Sequence, residues 1–279
     1  RDLYDDARAP ASGPGRRSIR PVHLNLKEAP MPSMYEIYDT DAAGYDALVS
    51  AEDHEGNLCT TLLELASWDD AVVVEAGIGT GRVTRCYVDR ASRVIGCDRS
   101  AHMLARAATT MESWAARLEL HRADHRSLPV TDERADLFVE GWAFGHAIVD
   151  AADQARHNQQ VGDRDAAVAV AVASTAAELV EEARRVCRPG GRMILIETLG
   201  TNADAPAPPL PELAEFYRLL ETRYGFEKSV IRTDYRFDSV EEAAGRCAFF
   251  FGPAMGSAIR AAGRSLIPEF TGIWAAARA

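Results

Sequence analysis

The stretch VVVEAGIGTGRVT, residues 72–84, decides the fold of this chain. A run of valines leads at once into Gly77, Gly79 and Gly81, and the residues that follow open a helix. Glycine lets the backbone turn sharply and approach a ligand closely, because it has no Cβ in the way. A strand, a glycine-rich turn and a helix in this order predict a nucleotide-binding unit.

Further strand-like runs alternate with helical segments along the rest of the chain. These runs are residues 93–98, 118–124, 135–141, 192–198, 227–237 and 266–274. Alternation of this kind is typical of a parallel sheet with right-handed crossovers. We therefore expect a doubly wound, mostly parallel, seven-stranded α/β sheet with helices on both faces.

Composition divides the chain into an arm and a body. Residues 1–33 contain five of the thirteen prolines and six basic against four acidic side chains, which predicts a flexible arm. Residues 34–279 are predicted to form one domain. Within it, residues 34–68 are expected to form a helical lid, and residues 143–178 an inserted or extended connection, because residues 150–165 are polar and weakly periodic.

Charge and cysteine content limit the partners. The net charge of −11 disfavours binding to nucleic acid or to an anionic membrane. The apolar runs are too short to span a bilayer. Five scattered cysteines without CxxC spacing argue against a disulfide framework and against a zinc site, so a reducing cytoplasm is expected. A small-molecule substrate is the favoured partner, and the protein is predicted to be a monomer or homodimer.

The glycine spacing separates two kinds of nucleotide site. A nicotinamide fingerprint requires glycine three positions after Gly79, where Arg82 stands. The G-x-G-x-G form directly after Glu75 instead resembles the first motif of class I S-adenosylmethionine (SAM)-dependent methyltransferases, whose fold is Rossmann-like. Asp98 lies 19 residues after Gly79 at the end of the second strand, and Asp124 ends the third. The resemblance extends from about Tyr35 to Trp274.

The resemblance implies a SAM site at the carboxyl ends of the strands. It assigns the ribose hydroxyls to Asp98 and the adenine amine to Asp124. The simpler alternatives are a helix N-terminal acid and a turn aspartate, respectively. The complete set of expected cofactor residues is Tyr38, Glu75, Gly77, Gly79, Gly81, Asp98, Arg99, Met103, Asp124, His125, Gly141 and Trp142.

Few catalytic side chains are expected, because SAM already carries an activated leaving group. An acceptor that must lose a proton needs a base, for which His146 and Glu197 are the candidates. A core histidine and an arginine-paired acid are their structural alternatives. Trp142 can face the sulfonium with its ring or pack beneath the sheet edge.

The expected activity is methyl transfer from SAM to a small metabolite. Two alternatives remain at this point. Attack at another carbon of SAM would give aminocarboxypropyl transfer or cyclisation with release of methylthioadenosine. A non-catalytic SAM-binding protein would keep the same fold.

Overall fold

The computed structural model describes residues 41–158 and 164–279, and its main element is a seven-stranded sheet. The sheet strands are β1 (Val72–Ala76), β2 (Arg93–Asp98), β3 (Leu118–Arg122), β4 (Ala135–Gly141), β5 (Cys187–Thr201), β6 (Glu227–Arg232) and β9 (Glu269–Ala277). A separate two-stranded ribbon consists of β7 (Tyr235–Arg236) and β8 (Leu266–Ile267).

Eight α-helices accompany these strands in the described part of the chain. They are α1 (Ala42–Val49), α2 (Asn57–Leu65), α3 (Ala101–Thr110), α4 (Phe144–Asn158), α5 (Arg164–Val186), α6 (Pro211–Thr222), α7 (Val240–Phe251) and α8 (Pro253–Ala262). None of the described helices is long and apolar enough to cross a membrane. The helices at 42–49 and 57–65 lie within the predicted lid segment, whose closing over a ligand stays a prediction.

The sheet order is β3-β2-β1-β4-β5-β9-β6, which confirms the expected doubly wound architecture. Strands β1 to β5 run parallel to one another, and β9 runs antiparallel between β5 and β6. The chain moves outward from β1 to β3 and then returns to place β4 on the other side of β1. In open α/β sheets, a ligand crevice forms at the carboxyl ends of the strands at this point.

Side chains alternate between the two faces of the sheet, because the pleat has a period of two. Val74, Phe138 and Leu195 share a buried cluster with residues of α4, α5 and α6. Val73 and Val139 belong to a second cluster that includes Leu58 and Leu62 of α2 together with Trp68 and Tyr87. Apolar burial on both faces holds the sheet between two helical layers.

A third cluster connects the first described helix to the end of the chain. Leu48 of α1 is buried with Tyr235, Phe237, Ala244 and Ile259. Helices α7 and α8 and the β7–β8 ribbon therefore pack next to α1. This packing places α1 beside the carboxyl ends of the strands, where its polar residues reach the crevice.

The sequence predicts no disulfide framework, and the described residues contain a single disulfide that this prediction did not include. Cys59 of α2 and Cys86 are disulfide-bonded, whereas Cys97, Cys187 and Cys247 are buried free thiols. The bonded cysteines are 27 residues apart in sequence. Packing of α2 against the turn after the glycine motif brings Cys59 and Cys86 together. Their spacing in the sequence does not predict this contact.

The connection after β4 is more regular than its composition suggested. Helix α4 continues to Asn158, so the polar residues from 150 to 158 are helical rather than an irregular excursion. Residues 159–163 and the predicted arm, residues 1–33, lie outside the described residues. Of residues 150–158 only Ala152 is buried, so this part of α4 has too few apolar side chains to show a clear hydrophobic period.

Candidate functional site

A cavity of about 430 Å³ opens at the carboxyl ends of β1, β2 and β4. Its wall combines residues of the glycine turn, of the segments that follow β2 and β4, and of α1. The lining residues are Tyr45, Gly77, Gly79, Asp98, Arg99, Ser100, Ala101, His102, Met103, Arg122, His125, Gly141, Trp142, Ala143 and His146. A cavity of this size suits a small molecule or cofactor.

The glycine turn uses conformations that other residues adopt only with strain. Gly77 has φ +72° and Gly79 has φ +54°. A Cβ on Gly77 would collide with the side chain of Ala143, so the glycine also allows the segment after β4 to approach the turn. Gly81 has φ +85° and packs against Met111 instead of lining the cavity. Two of the three predicted glycines therefore form the cavity wall, and the third supports the turn.

Asp98 lies where the ribose carboxylate was predicted. Its Oδ2 accepts a hydrogen bond from the Gly79 N–H at 2.9 Å, and its Oδ1 accepts one from the Ser100 N–H at 2.8 Å. Burial raises the pKa of Asp98, while these N–H groups act in the opposite direction. Ser100 caps α3 by accepting the Met103 N–H, so Asp98 is not needed as the cap. Its remaining lone pairs are available to hydroxyl donors in the cavity.

At the end of β3, the structure brings His125 rather than Asp124 into the wall. Asp124 holds a turn by accepting the Arg126 N–H at 2.9 Å, as the simpler alternative predicted. The His125 ring packs edge-on against Phe144 with 5.9 Å between centroids. Burial lowers the pKa of His125 to about 4, so the ring is neutral at pH 7, and its buried Nδ1 has no hydrogen-bond partner among the described residues.

Trp142 lines the cavity directly after β4. Its φ is +53°, and its N–H donates to the Ile196 carbonyl at 2.7 Å. The guanidinium carbon of Arg82 lies 3.6 Å from the centroid of the indole ring. Arg82 also donates two hydrogen bonds of 2.8 Å to Glu52. One ring face of Trp142 therefore already carries a cation, which leaves only the opposite face for the predicted sulfonium contact.

The two candidate bases occupy different environments. His146, in the first turn of α4, lines the cavity, and burial lowers its pKa, so its neutral ring can accept a proton. Glu197 lies behind the wall with 2% of its surface exposed. Burial, and next the charge of Glu140, raise the pKa of Glu197 well above its ordinary value.

Glu75 is also buried and does not line the cavity. Its Oε2 accepts a hydrogen bond from Thr84 Oγ1 at 2.6 Å and a further one from the Tyr87 hydroxyl. Burial raises the pKa of Glu75 to about 7. The structure thus places this predicted cofactor residue beneath the glycine turn.

Most predicted cofactor residues meet at the cavity, and several others were missed. Arg99, Met103 and Gly141 line it as predicted, whereas Tyr38 lies outside the described residues. The additional lining residues are Tyr45, Ser100, Ala101, His102, Arg122 and Ala143. Three of them form the beginning of α3 and could have been inferred from their position after Asp98. Tyr45 reaches the wall only because α1 packs beside the sheet edge.

Comparison with known proteins gives a domain match and curated relatives. Residues 73–161 match the family model of a methyltransferase domain. An uncharacterised methyltransferase of Geobacillus kaustophilus (strain HTA426) is 31% identical over 111 residues, which are 40% of this chain and 49% of that protein. The chain therefore spans about half the length of that relative. The phosphatidylethanolamine N-methyltransferase of Cereibacter sphaeroides is 28% identical over 172 residues, 61% of this chain and 71% of that enzyme.

Solved structures share the fold. An N-methyltransferase of Haemonchus contortus, in complex with phosphomonomethylethanolamine and S-adenosylhomocysteine, is similar with a TM-score of 0.53 and 14% identity, over 86% of this chain and 57% of that one. The YcgJ protein of Bacillus subtilis has a TM-score of 0.50 and 15% identity, over 80% of this chain and 97% of that one. Residues 73–161 are therefore similar to a methyltransferase domain, and the sheet order and the glycine turn agree with the fold of class I SAM-dependent methyltransferases, whose cofactor is S-adenosylmethionine.

Proposed function

We propose that this protein transfers the methyl group of SAM to a small-molecule amine. The observation that carries the proposal is the convergence of Gly77, Asp98 and His146 on one cavity. The first two residues suit the cofactor, and the third suits an acceptor that must lose a proton. No other described cavity residue combines a neutral ring with a place in the first turn of the helix after β4.

The residues of the cavity fit SAM. The glycine turn leaves room for a close backbone approach, and Asp98 offers carboxylate oxygens to a ribose diol. The buried Nδ1 of His125 has no partner among the described residues, and a bound nucleoside would supply one. Bound there, SAM supplies an activated methyl group on a sulfonium.

The chain's own contribution to the reaction is proton removal and exclusion of water. An amine attacks through its lone pair, so its ammonium form must first lose a proton. His146 is held neutral by burial and is positioned to accept that proton. Tyr45 and Trp142 line the cavity, and their rings would exclude water and hold the acceptor near the methyl group.

Two relatives narrow the acceptor class to be tested first. One is named a phosphatidylethanolamine N-methyltransferase, and the other was solved with phosphomonomethylethanolamine. Both names describe ethanolamine-type amines. We therefore propose such an amine as the acceptor of this protein. The cytoplasmic location, the monomeric or homodimeric state and the lack of nucleic-acid or membrane partners remain predictions.

The test is product analysis with purified protein and SAM. Ethanolamine, phosphoethanolamine and vesicles containing phosphatidylethanolamine are supplied separately, and the products are followed by mass spectrometry. We expect S-adenosylhomocysteine and a methylated amine in equal amounts. Asp98→Ala should reduce the rate, whereas Asp69→Ala, at an exposed aspartate away from the cavity, should not.

Three outcomes would change the proposal. Methylthioadenosine as product would indicate the alternative SAM chemistry. S-adenosylhomocysteine formed only with acceptors other than amines would keep methyl transfer and reject the amine. A protein that neither binds nor consumes SAM would contradict the enzyme assignment.

A further inference from the structure

The first turn of α4 is capped by two glutamates from two different strands. Glu140 Oε1 accepts the N–H groups of Ala143 at 2.5 Å and Phe144 at 2.9 Å. Glu197 Oε1 accepts the N–H of Gly145 at 2.5 Å. Helix N-termini leave such N–H groups without partners inside the helix. Ala143, which precedes the helix, has no side-chain acceptor, so the buried glutamates take this role.

Gly145 makes room for the second glutamate. A Cβ at this position would lie 2.7 Å from Glu197 Oε2. Glu140 is 0% exposed and Glu197 is 2% exposed, and neither lines the cavity. Both carboxyl groups therefore act on the helix and not on a ligand in the cavity.

The capped residues are themselves part of the cavity wall. Ala143, whose own N–H is capped, and His146, which follows the capped Gly145, both line the cavity. Ala143 also approaches Gly77 so closely that a Cβ on residue 77 would collide with the Ala143 side chain. A shift of the α4 N-terminus would consequently move both the glycine contact and the candidate base.

We propose that Glu140 and Glu197 are positioning residues, which cap α4 together and hold His146 and Ala143 in the wall of the cofactor cavity. This inference rests on the proposed function and deepens it. It assigns Glu197 to the support of the base, and leaves His146 as the residue that meets the acceptor.

Glu197 could act as a helix cap or as a base, and its electrostatic environment allows a conservative variant to distinguish these two roles. Burial raises the pKa of Glu140 to about 8, and burial and Glu140 together raise that of Glu197. Glu75 on β1 and Tyr217 on α6 are the further titratable groups that interact with this pair. Burial thus favours the neutral form of this pair, and a glutamine, which is neutral and keeps the accepting oxygen, should replace Glu197 in the cap. A carboxylate base could not be replaced in this way.

The experiment compares Glu197→Gln, Glu197→Leu and Gly145→Ala with the wild-type protein. Binding of S-adenosylhomocysteine is measured by calorimetry, and turnover with the amine identified above is measured in parallel. We expect Glu197→Gln to stay within about threefold of wild type in both. Glu197→Leu and Gly145→Ala should each weaken S-adenosylhomocysteine binding at least about tenfold. Gly245→Ala is the matched glycine control, because a Cβ there meets nothing within 4 Å.

Hydrogen exchange of the amides of residues 144–147 gives a readout that does not depend on activity. Exchange should accelerate in Glu197→Leu and Gly145→Ala and remain slow in Glu197→Gln. Loss of turnover in Glu197→Gln with intact ligand binding would show that Glu197 is the base and overturn the inference. Unchanged exchange and binding in Gly145→Ala would overturn it as well. Failure of the wild-type protein to bind the ligand would count against the proposed function alone, since exchange still tests the cap.

Discussion

The β1–β2 side of the cavity and its β4–β5 side each place a carboxylate near the carboxyl edge of the parallel strands and use it differently. Asp98, at the end of β2, accepts N–H groups from Gly79 and Ser100 and lines the cavity. Glu197, on β5, accepts the N–H of Gly145, which is 52 residues away, and lies behind the wall. Asp98 is the last residue of β2, whereas Glu197 lies within β5, next to the end of β4, and the two carboxylates have different partners.

The helix that lies next to each carboxylate explains the difference. Helix α3 has its own cap, Ser100, which accepts the Met103 N–H and leaves Asp98 directed at the cavity. Helix α4 is preceded by Ala143, which offers no side-chain oxygen, so buried glutamates complete its first turn. A carboxylate at this edge of the sheet is thus available for a ligand only where no neighbouring helix needs it as a cap.

The largest expected effect is the loss of stability on removing a disulfide. Among the described residues, only the β1–β2 side carries one. Loss of the Cys59–Cys86 disulfide in a Cys59→Ser/Cys86→Ser variant should lower the free energy of unfolding. For a closed loop of 27 residues the loss is about 3–4 kcal/mol, because the unfolded chain regains conformational freedom. Urea denaturation with and without dithiothreitol measures it. The reductant should destabilise the wild type and leave the double variant unchanged, and equal stability of all four samples would contradict the prediction.

The next largest effect concerns Glu75, the buried glutamate of the β1–β2 side. Burial raises its folded-state pKa to about 7 from 4.5. The folded protein therefore binds more protons than the unfolded chain between these values, and Glu75 makes stability fall as the pH rises through this window. Glu75→Gln removes that slope and should gain about 2–3 kcal/mol relative to wild type between pH 4 and pH 8.

Denaturant unfolding across this pH range measures the difference. Glutamine keeps an oxygen for the hydroxyl donors of Thr84 and Tyr87, so the variant should fold. Glu64→Gln, at an exposed position of α2, is the control and should follow the wild-type curve. A Glu75→Gln curve parallel to wild type would show that Glu75 does not titrate in this window.

The smallest of these effects in free energy is on ligand binding, and it distinguishes the carboxylate of Asp98 from that of Glu197. Asp98→Ala should weaken S-adenosylhomocysteine binding about 10- to 100-fold, since a hydrogen bond to a charged group contributes about 1.5–3 kcal/mol. Glu197→Gln should bind as wild type does. Calorimetry at pH 7 measures the affinity of both variants for S-adenosylhomocysteine. Equal losses of affinity would show that the carboxylates on the two sides of the cavity do not differ in this role.

The sequence by itself determined the sheet and the cofactor half of the site. Valine-rich runs, the spacing of Gly77 and Gly79, and Asp98 at the end of the next strand are local features, and each one constrains backbone conformation or burial near its own position. These features were enough to predict the fold and most of the residues that line the cavity.

Only the tertiary structure decided which distant residues meet. It placed His125 instead of Asp124 in the wall, Tyr45 beside Asp98, Arg82 on the face of Trp142, and Cys59 next to Cys86. It also set Glu140 and Glu197 beneath α4. Such contacts depend on how whole elements pack. Sequence spacing does not predict them, because the burial and the partners of each residue are determined by segments many residues away.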